Sequence, residues 1–479
     1  MRFLKGIISK NKILKNFSVL IVSNAFSQIL FMLSSIKIAR SLTPVLFGAY
    51  NLLFVHVLIF GGLASLGLRN IIIRSVARDN GIVKRVFFIS IILRAIGFLL
   101  SIILFCTYFI LYPSYDDFLF ILVILCILSN LLFDLSESVA FGLEKMEFSG
   151  VIILLNALFW FLTILLIPKS MFTLHLIFSL FVFFNSLKTI IYFFSIYKAG
   201  FIKGFILEHF EKRQIIEFSK LSFPYYYLDL FTLISNQIPL LFLEYRSGVA
   251  QIGFFNIASK VLLPITLVLN TALAAIFPNI SRLFITNYKL FIRTVKVIFI
   301  LITLFGIVGA FWATLFRSEI INLLYGKKYI SSSLVLGYQC WYVAIYSLVC
   351  LIGTILGAIN KQKELSYLSI VCTIIQVPIL WYGSKYGAQY LSAAFLAATI
   401  IIFIIHLFVI NSYLKNELSY IFYFKITALF FIGYFVSLFT PVNLSFFYRI
   451  IFFVLIPILG GYFVFKKYKY FLKRILYVN

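Results

Sequence analysis

Apolar runs of about 20 residues recur from one end of this chain to the other, separated by short polar junctions. A helix needs about that length to cross a bilayer. About fourteen such runs are legible, over roughly 17–39, 45–68, 86–112, 118–141, 149–167, 171–194, 220–243, 251–277, 294–316, 334–359, 365–383, 387–410, 420–440 and 447–465. They predict an all-α polytopic membrane protein of about fourteen transmembrane helices. Basic residues mark every second junction. Arg2 to Lys15, Arg69 to Arg85, Lys145, Lys198 to Lys220, Arg282 to Lys296, Lys361 and Lys363, Lys415 and Lys425, and Lys466 to Arg474 together hold 29 Lys and Arg. The alternate set, Lys37, Arg40, Lys169, Arg246, Arg317, Lys327, Lys328, Lys385 and Arg449, holds 9. Lys and Arg collect in cytoplasmic loops, so both termini are expected in the cytoplasm.

The longest outer connection is expected over about 317–333. The main inner connection, Tyr197 to Ser219, is longer and amphipathic. Its Phe205, Ile206, Phe210, Ile215 and Ile216 alternate with Lys203, Glu208, Glu211, Lys212 and Arg213. That pattern fits a helix lying in the membrane interface or a charged linker.

Composition agrees with the pattern: 63% hydrophobic, 12% charged and a mean hydropathy of +1.08 over 479 residues, too little charge to cover a water-soluble surface. The net charge of +26 then follows from the loops. There is no compact basic domain of the kind that binds nucleic acid, and no such partner is expected. Cys106, Cys126, Cys340, Cys350 and Cys372 all fall inside apolar runs without metal-ligand or disulfide spacing, and read as inert buried thiols. The apolar stretch from Phe17 is too long for a signal-peptide core and reads as the first crossing helix. No Walker A motif, zinc-binding helix or nucleophile elbow is present, so neither cofactor, metal nor catalytic residue is expected.

An internal repeat organises the runs. Arg40-Ser41 and Phe47-Gly48-Ala49-Tyr50-Asn51 follow the first, and Arg246-Ser247 and Ile252-Gly253-Phe254-Phe255-Asn256 follow the seventh. Six runs separate the copies, so both face the same way. This predicts two six-helix lobes, over about 1–196 and 220–412, related by an axis along the membrane normal. Residues 197–219 join them, and 413–479 add two helices and a basic tail.

Charges inside the runs are costly, roughly 2.5–3.5 kcal/mol each on insertion scales, and normally face protein or a wet cavity. Lys260 lies about two turns into the eighth run, and its counterpart in the repeat is Val55 or His56. Both lobes would then aim a potential cation at a shared cavity, although Lys260 also has the length to snorkel to headgroups. Arg94 and Lys188, near inner ends, admit the same two readings. Asp134 and Glu137 share one face of the fourth run and either balance a nearby cation or are solvated at the boundary. Asp229, with Asn236 and Gln237 two turns on, is an ion or proton candidate. His175 and His406 read as satisfied core histidines. Asn24, Ser27 and Gln28 form a polar stripe on the first helix, which either lines the cavity, the preferred reading, or hydrogen-bonds a neighbouring helix. Pro239, Pro264 and Pro378 interrupt runs and are positioned to bend helices.

Several strings together resemble the polysaccharide flippases of the multidrug/oligosaccharidyl-lipid/polysaccharide exporter superfamily. They are Ile38-Ala39-Arg40-Ser41-Leu42 leading to Phe47-Gly48-Ala49-Tyr50, Leu66-Gly67-Leu68 followed by Arg74, and Gly253 through Lys260. Phe277-Pro278-Asn279-Ile280-Ser281, Tyr325-Gly326-Lys327-Lys328-Tyr329 and Tyr386 through Ala394 complete the set. The resemblance implies two six-helix lobes with two added helices and alternating access through a cationic cavity. It implies movement of undecaprenyl-pyrophosphate-linked oligosaccharide units, of the O-antigen or capsule class, to the outer leaflet of the bacterial inner membrane. A polymerase of the same pathway is then the expected protein partner beside the lipid bilayer. Lys260 stands where the related peptidoglycan-precursor flippase carries a cavity arginine, which implies contact with pyrophosphate. His56, Arg94, Lys188, Asn24 and Gln28 would complete the substrate cavity, with Asp229, Asp134 and Glu137 as ion-coupling candidates. The chain departs from the family at Pro239, near Gln376 and Pro378, and at Leu33 and Ser34, which favours a surface-polysaccharide unit over a peptidoglycan precursor. The competing readings are a drug exporter of the same superfamily and a membrane-embedded polymerase or ligase, the latter disfavoured by short outer loops.

Overall fold

The computed structural model describes residues 2–198 and 212–414, with positions 417, 428, 430 and 432–434. Among them, 11 helices are long and apolar enough to cross a membrane, and each coincides with a predicted run. The chain is therefore a multi-pass all-helical membrane protein. The predicted runs at about 420–440 and 447–465 lie largely or wholly outside the described residues, as do positions 199–211 of the amphipathic connection.

By contacts the chain divides into two units, Met1–Asn256 and Ile257–Asn479. The first contains α1 (Arg2–Ser41), α2 (Pro44–Ser65), α3 (Leu68–Arg78), α4 (Val83–Leu111), α5 (Asp117–Gly142), α6 (Met146–Leu166), α7 (Leu174–Lys198), α8 (Lys212–Asn236) and α9 (Ile238–Ser247). It also takes the first turns of α10 (Val249–Thr286). Here α1 packs on α6, α5 on α7, and α2 on both α4 and α5. Apolar side chains such as Leu99, Leu100 and Ile103 of α4 are exposed, whereas Ser90, Leu93 and Gly97 of the same helix are buried. Buried serines find partners within their own helix: Ser27, Ser90 and Ser136 each donate to the carbonyl one turn back. In a medium without water that is the cheapest partner a serine can find.

The helix ends have identifiable causes. Thr43 caps α2 by accepting from the Leu46 amide, and Pro44 occupies the first turn. Asp116 caps α5 in the same way through the Leu119 amide. Lys37, near the end of α1, donates its ammonium to the carbonyls of Leu165 and Ile167 and so closes the C-terminal end of α6. Between α2 and α3, Leu66 and Gly67 both adopt left-handed backbone, and a Cβ on Gly67 would lie 2.4 Å from the Tyr226 amide nitrogen of α8. Only glycine fits there.

Two predicted connections are folded. Residues 69–85, read as an inner loop, begin with α3, whose Leu68, Ile71, Ile72 and Val76 are buried at helical spacing. The outer loop over about 317–333 contains α12 (Arg317–Tyr325) and a 3-10 turn, with Ile321, Tyr325 and Tyr329 buried. The predicted seventh run is built as α8 and α9, because Pro239 in the first turn of α9 has no amide to continue the preceding helix. Pro264, Pro278 and Pro378 lie inside continuous helices.

The second unit holds the rest of α10 with α11 (Tyr288–Leu315), α12, α13 (Ser332–Ala358), α14 (Gln362–Ser384) and α15 (Ala388–Tyr413). α13 is its centre, packed on α11, α12, α14 and α15. Its Trp341 is buried, with the indole N–H donating to Thr314 at 3.1 Å.

The repeated glycines meet within the first unit. A Cβ on Gly48 of α2 would lie 2.1 Å from the Val249 carbonyl oxygen, and one on Gly253 would lie 2.9 Å from that of Pro44. The first turns of α2 and α10 thus cross backbone against backbone, which explains why the two copies share a glycine. Gly48→Ala should force them apart and destabilise the protein by about 1–3 kcal/mol, the cost of overpacking. Thermal unfolding in detergent would read this as a lowered midpoint, and an unchanged midpoint would show that the crossing is not tight.

Candidate functional site

Most of the intramembrane charges named above gather at one end of the first unit, where α4 begins and α5 finishes. Asp134 is held by Arg69 of α3 and Arg94 of α4. The second amino group of Arg69 takes Glu137 at 2.8 Å. Arg94 also donates to the Leu131 carbonyl, and Glu137 accepts from Ser149 of α6. Lys188 of α7 lies 4.0 Å from the centre of the Phe133 ring, close enough to Glu137 for their charges to interact.

Three cations therefore surround two carboxylates, and four helices are tied through α5. Only 5% of the Arg94 side chain and 9% of Glu137 are exposed, against 28% of Asp134 and 37% of Arg69, so Arg69 is the most exposed of the four. The guanidinium fork matches carboxylates on two successive turns of a helix, and this explains an arginine here. Sequence reasoning missed Arg69 because it stands next to Gly67 in what reads as a loop. The apolar spacing of α3 was the available signal.

The remaining candidates lie elsewhere. His56 is completely buried midway along α2. Its Nδ1 is 3.2 Å from the Tyr115 hydroxyl, and Phe60, Phe105, Tyr108 and Tyr115 surround the ring. Nearby, Glu244 of α9 accepts hydrogen bonds from Ser114 at 2.5 Å and Tyr108 at 3.4 Å. Glu244 lies just beyond the seventh predicted run. Burial pushes its carboxyl above the ordinary range, against the opposing pull of those two hydrogen bonds. This group, too, was missed from sequence.

On α1, Ser27 donates to Ser23, and Gln28 is half-buried with its side-chain oxygen enclosed and without a partner among the described residues. Asn24 is half-buried on the same helix. Asp229 is exposed on α8 and senses the charge of Asp134. His175 is exposed and bonded to Asp116, whose carboxyl that contact holds below the usual range. His406 is buried beside Cys372.

In the second unit Lys260 is half-buried on α10. The adjoining Ser259 donates to Gln339 at 3.1 Å, and Gln339 lies 3.4 Å from Ser392, so a polar seam links α10, α13 and α15. An apolar cavity of about 230 Å³ lies in this unit, lined by Trp341, Leu396, Phe403, Phe430 and Tyr434 among others.

Comparison with known proteins follows from this architecture. A family model described as "Polysaccharide biosynthesis protein" matches residues 13–284, more than half of the chain. No curated protein sequence matches significantly. Among solved structures, the lipid II flippase MurJ in an inward closed conformation superposes with a TM-score of 0.69 at 18% identity, covering 93% of this chain and 98% of that one. An inward-facing multidrug resistance transporter of the MATE family, in the MOP superfamily, gives 0.58 at 15% identity, covering 82% and 96%. A MOP superfamily transporter from Pyrococcus furiosus, described as having a binding pocket of reverse polarity, gives 0.56 at 12% identity over 85% and 96%. At these identities the likeness is one of fold.

Removing Asp134 would leave two arginines with one carboxylate between them. Asp134→Asn is expected to destabilise the protein towards the lower end of the about 3–5 kcal/mol seen when a buried pair is broken, because Asp134 is partly exposed. Arg94→Leu in the same chain should recover part of the loss. A double-mutant cycle on unfolding midpoints would measure the coupling, and strict additivity would show that the pair does not interact.

Proposed function

For this chain, which belongs to the polysaccharide biosynthesis protein family, we propose the role of a flippase for undecaprenyl-pyrophosphate-linked oligosaccharide units of the O-antigen or capsule class. It carries them from the inner to the outer leaflet by alternating access around a cationic cavity. The membrane is the bacterial inner membrane, and both termini are cytoplasmic, as the asymmetry of Lys and Arg implies. The protein is a transporter and not an enzyme, and a polysaccharide polymerase of the pathway receives the product.

One observation carries this reading: a lysine, Lys260, half-buried on a crossing helix of a chain in that family. A glycan on a diphosphate cannot enter hydrocarbon unaided, whereas its polyprenyl tail can stay there. A fixed cation inside the membrane is what such a headgroup requires, since anion and cation each offset the other's cost of leaving water. Lysine offers a point charge without arginine's bidentate fork, which suits a ligand that must be released. The apolar cavity beside Trp341 offers hydrocarbon contact suited to the tail.

Lys260→Ala should abolish surface-polysaccharide export, with the lipid-linked glycan accumulating on the cytoplasmic leaflet, while Lys260→Arg retains part of it. Normal export by the alanine variant would refute the role given to Lys260. Accumulation at the outer leaflet would refute the flippase reading itself.

A further inference from the structure

We propose that His56 is a proton-binding site of this protein, reached through Glu244 and the tyrosines between them, and that protonation there drives the movement of α2. The inference rests on the transporter reading for its purpose but not for its chemistry.

His56 occupies a position where a phenylalanine or leucine would pack at no polar cost. Its ring is completely buried, with centroids of Tyr108, Tyr115, Phe105 and Phe60 at 5.3, 5.6, 5.7 and 6.3 Å. Nδ1 has the Tyr115 hydroxyl, but Nε2 is enclosed and has no partner among the described residues. Buried polar atoms are nearly always bonded, and an exception calls for an explanation. Among the described residues no carboxylate or cation contacts the ring. The titratable groups facing it are Tyr108 from α4 and Tyr115 from the α4–α5 connection. Glu244 of α9 lies behind Tyr108.

Those groups lead to the surface at the end of the unit where α4 finishes. Glu244 is half-buried and holds both Tyr108 and Ser114, the residue before Tyr115. Its neighbour Tyr245 is 68% exposed. A proton taken up from water by Glu244 can pass to Tyr108 and, across a bridging water, to Tyr115, since the two tyrosine hydroxyls do not bond each other directly. Tyr115 gives its own proton to the lone pair on Nδ1 and accepts another in its place. The Glu244 carboxyl returns to carboxylate, and the neutral ring becomes imidazolium. Glu244 cannot be replaced in this sequence by a group without an acid proton.

An imidazolium in a closed aromatic shell lacks the hydrogen-bond partners that a charge needs, so binding favours arrangements in which water reaches the ring. α2 is the element that must yield. Its first turn carries Gly48, about 12 Å along the helix from His56, at the crossing with Val249 and Gly253. A proton on His56 thus acts on the helix that forms this crossing.

The chain has only 4 histidines, which makes the test direct. The full-length protein in lipid nanodiscs, labelled with ¹⁵N-histidine and free of any substrate, is titrated from about pH 8 to about pH 5. The His56 signal, assigned by its loss in His56→Gln, should move to imidazolium values. Amide exchange over residues 52–60 should rise with the same midpoint, and Tyr115→Phe, which removes the hydroxyl bonded to Nδ1, should displace that midpoint. A ring that stays neutral to about pH 5 with unchanged exchange overturns the proposal. In cells, export by Glu244→Gln should lose its dependence on the transmembrane pH gradient. If export by that variant still falls when the gradient is collapsed, as in the wild type, the coupling is overturned. Failure of the polysaccharide assignment would leave the titration readable, so the two ideas fail separately.

Discussion

Hydrocarbon offers no partner to a charge or a polar bond, and almost every local feature of this protein answers that constraint. The cluster around Asp134 is its clearest expression. Arg94 sits deep in α4, where an unpaired guanidinium could not persist, and Asp134 and the Leu131 carbonyl take its donors. Arg69 closes the cluster from outside the spanning helices. Such a network is weak evidence for stability when compared with apolar packing, yet breaking it halfway is costly. Its value lies in fixing which turn of α3 meets which turn of α5.

The same constraint made much of the fold legible in advance. Run length set the crossing helices, because a helix satisfies its own backbone whatever its neighbours do. Alternation of basic residues gives them an expected orientation. What stayed hidden was the structure of short segments. α3 and α12 are brief, charged on one face and bounded by glycines, and by hydropathy alone such stretches are loops. Their apolar spacing was present in Leu68, Ile71, Ile72 and in Ile321, Tyr325, but it extends over too few turns to stand out.

Candidate residues were legible by type and not by partner. An intramembrane charge is conspicuous in sequence, so Arg94, Asp134, Glu137 and Lys188 were found. That the two carboxylates would be claimed by Arg69 depended on a turn at Gly67 that no periodicity announces. His56 was picked out through its place in the repeat, as a cation for a cavity. The structure encloses it among rings instead, and one of them, Tyr108, bonds a carboxylate from α9 that is distant in sequence. The repeat itself has a physical reading at its glycines: Gly48 and Gly253 are alike because each must let the other's backbone approach.

Lys37 shows how far counting charges can mislead. It was tallied with the outer residues, against the prevailing asymmetry, as though it were signal addressed to the insertion machinery. In the folded protein its ammonium is a structural plug seated on the carbonyls that finish a neighbouring helix. A basic residue in a short connection thus has a packing reason for its place, separate from whatever it contributes to orientation.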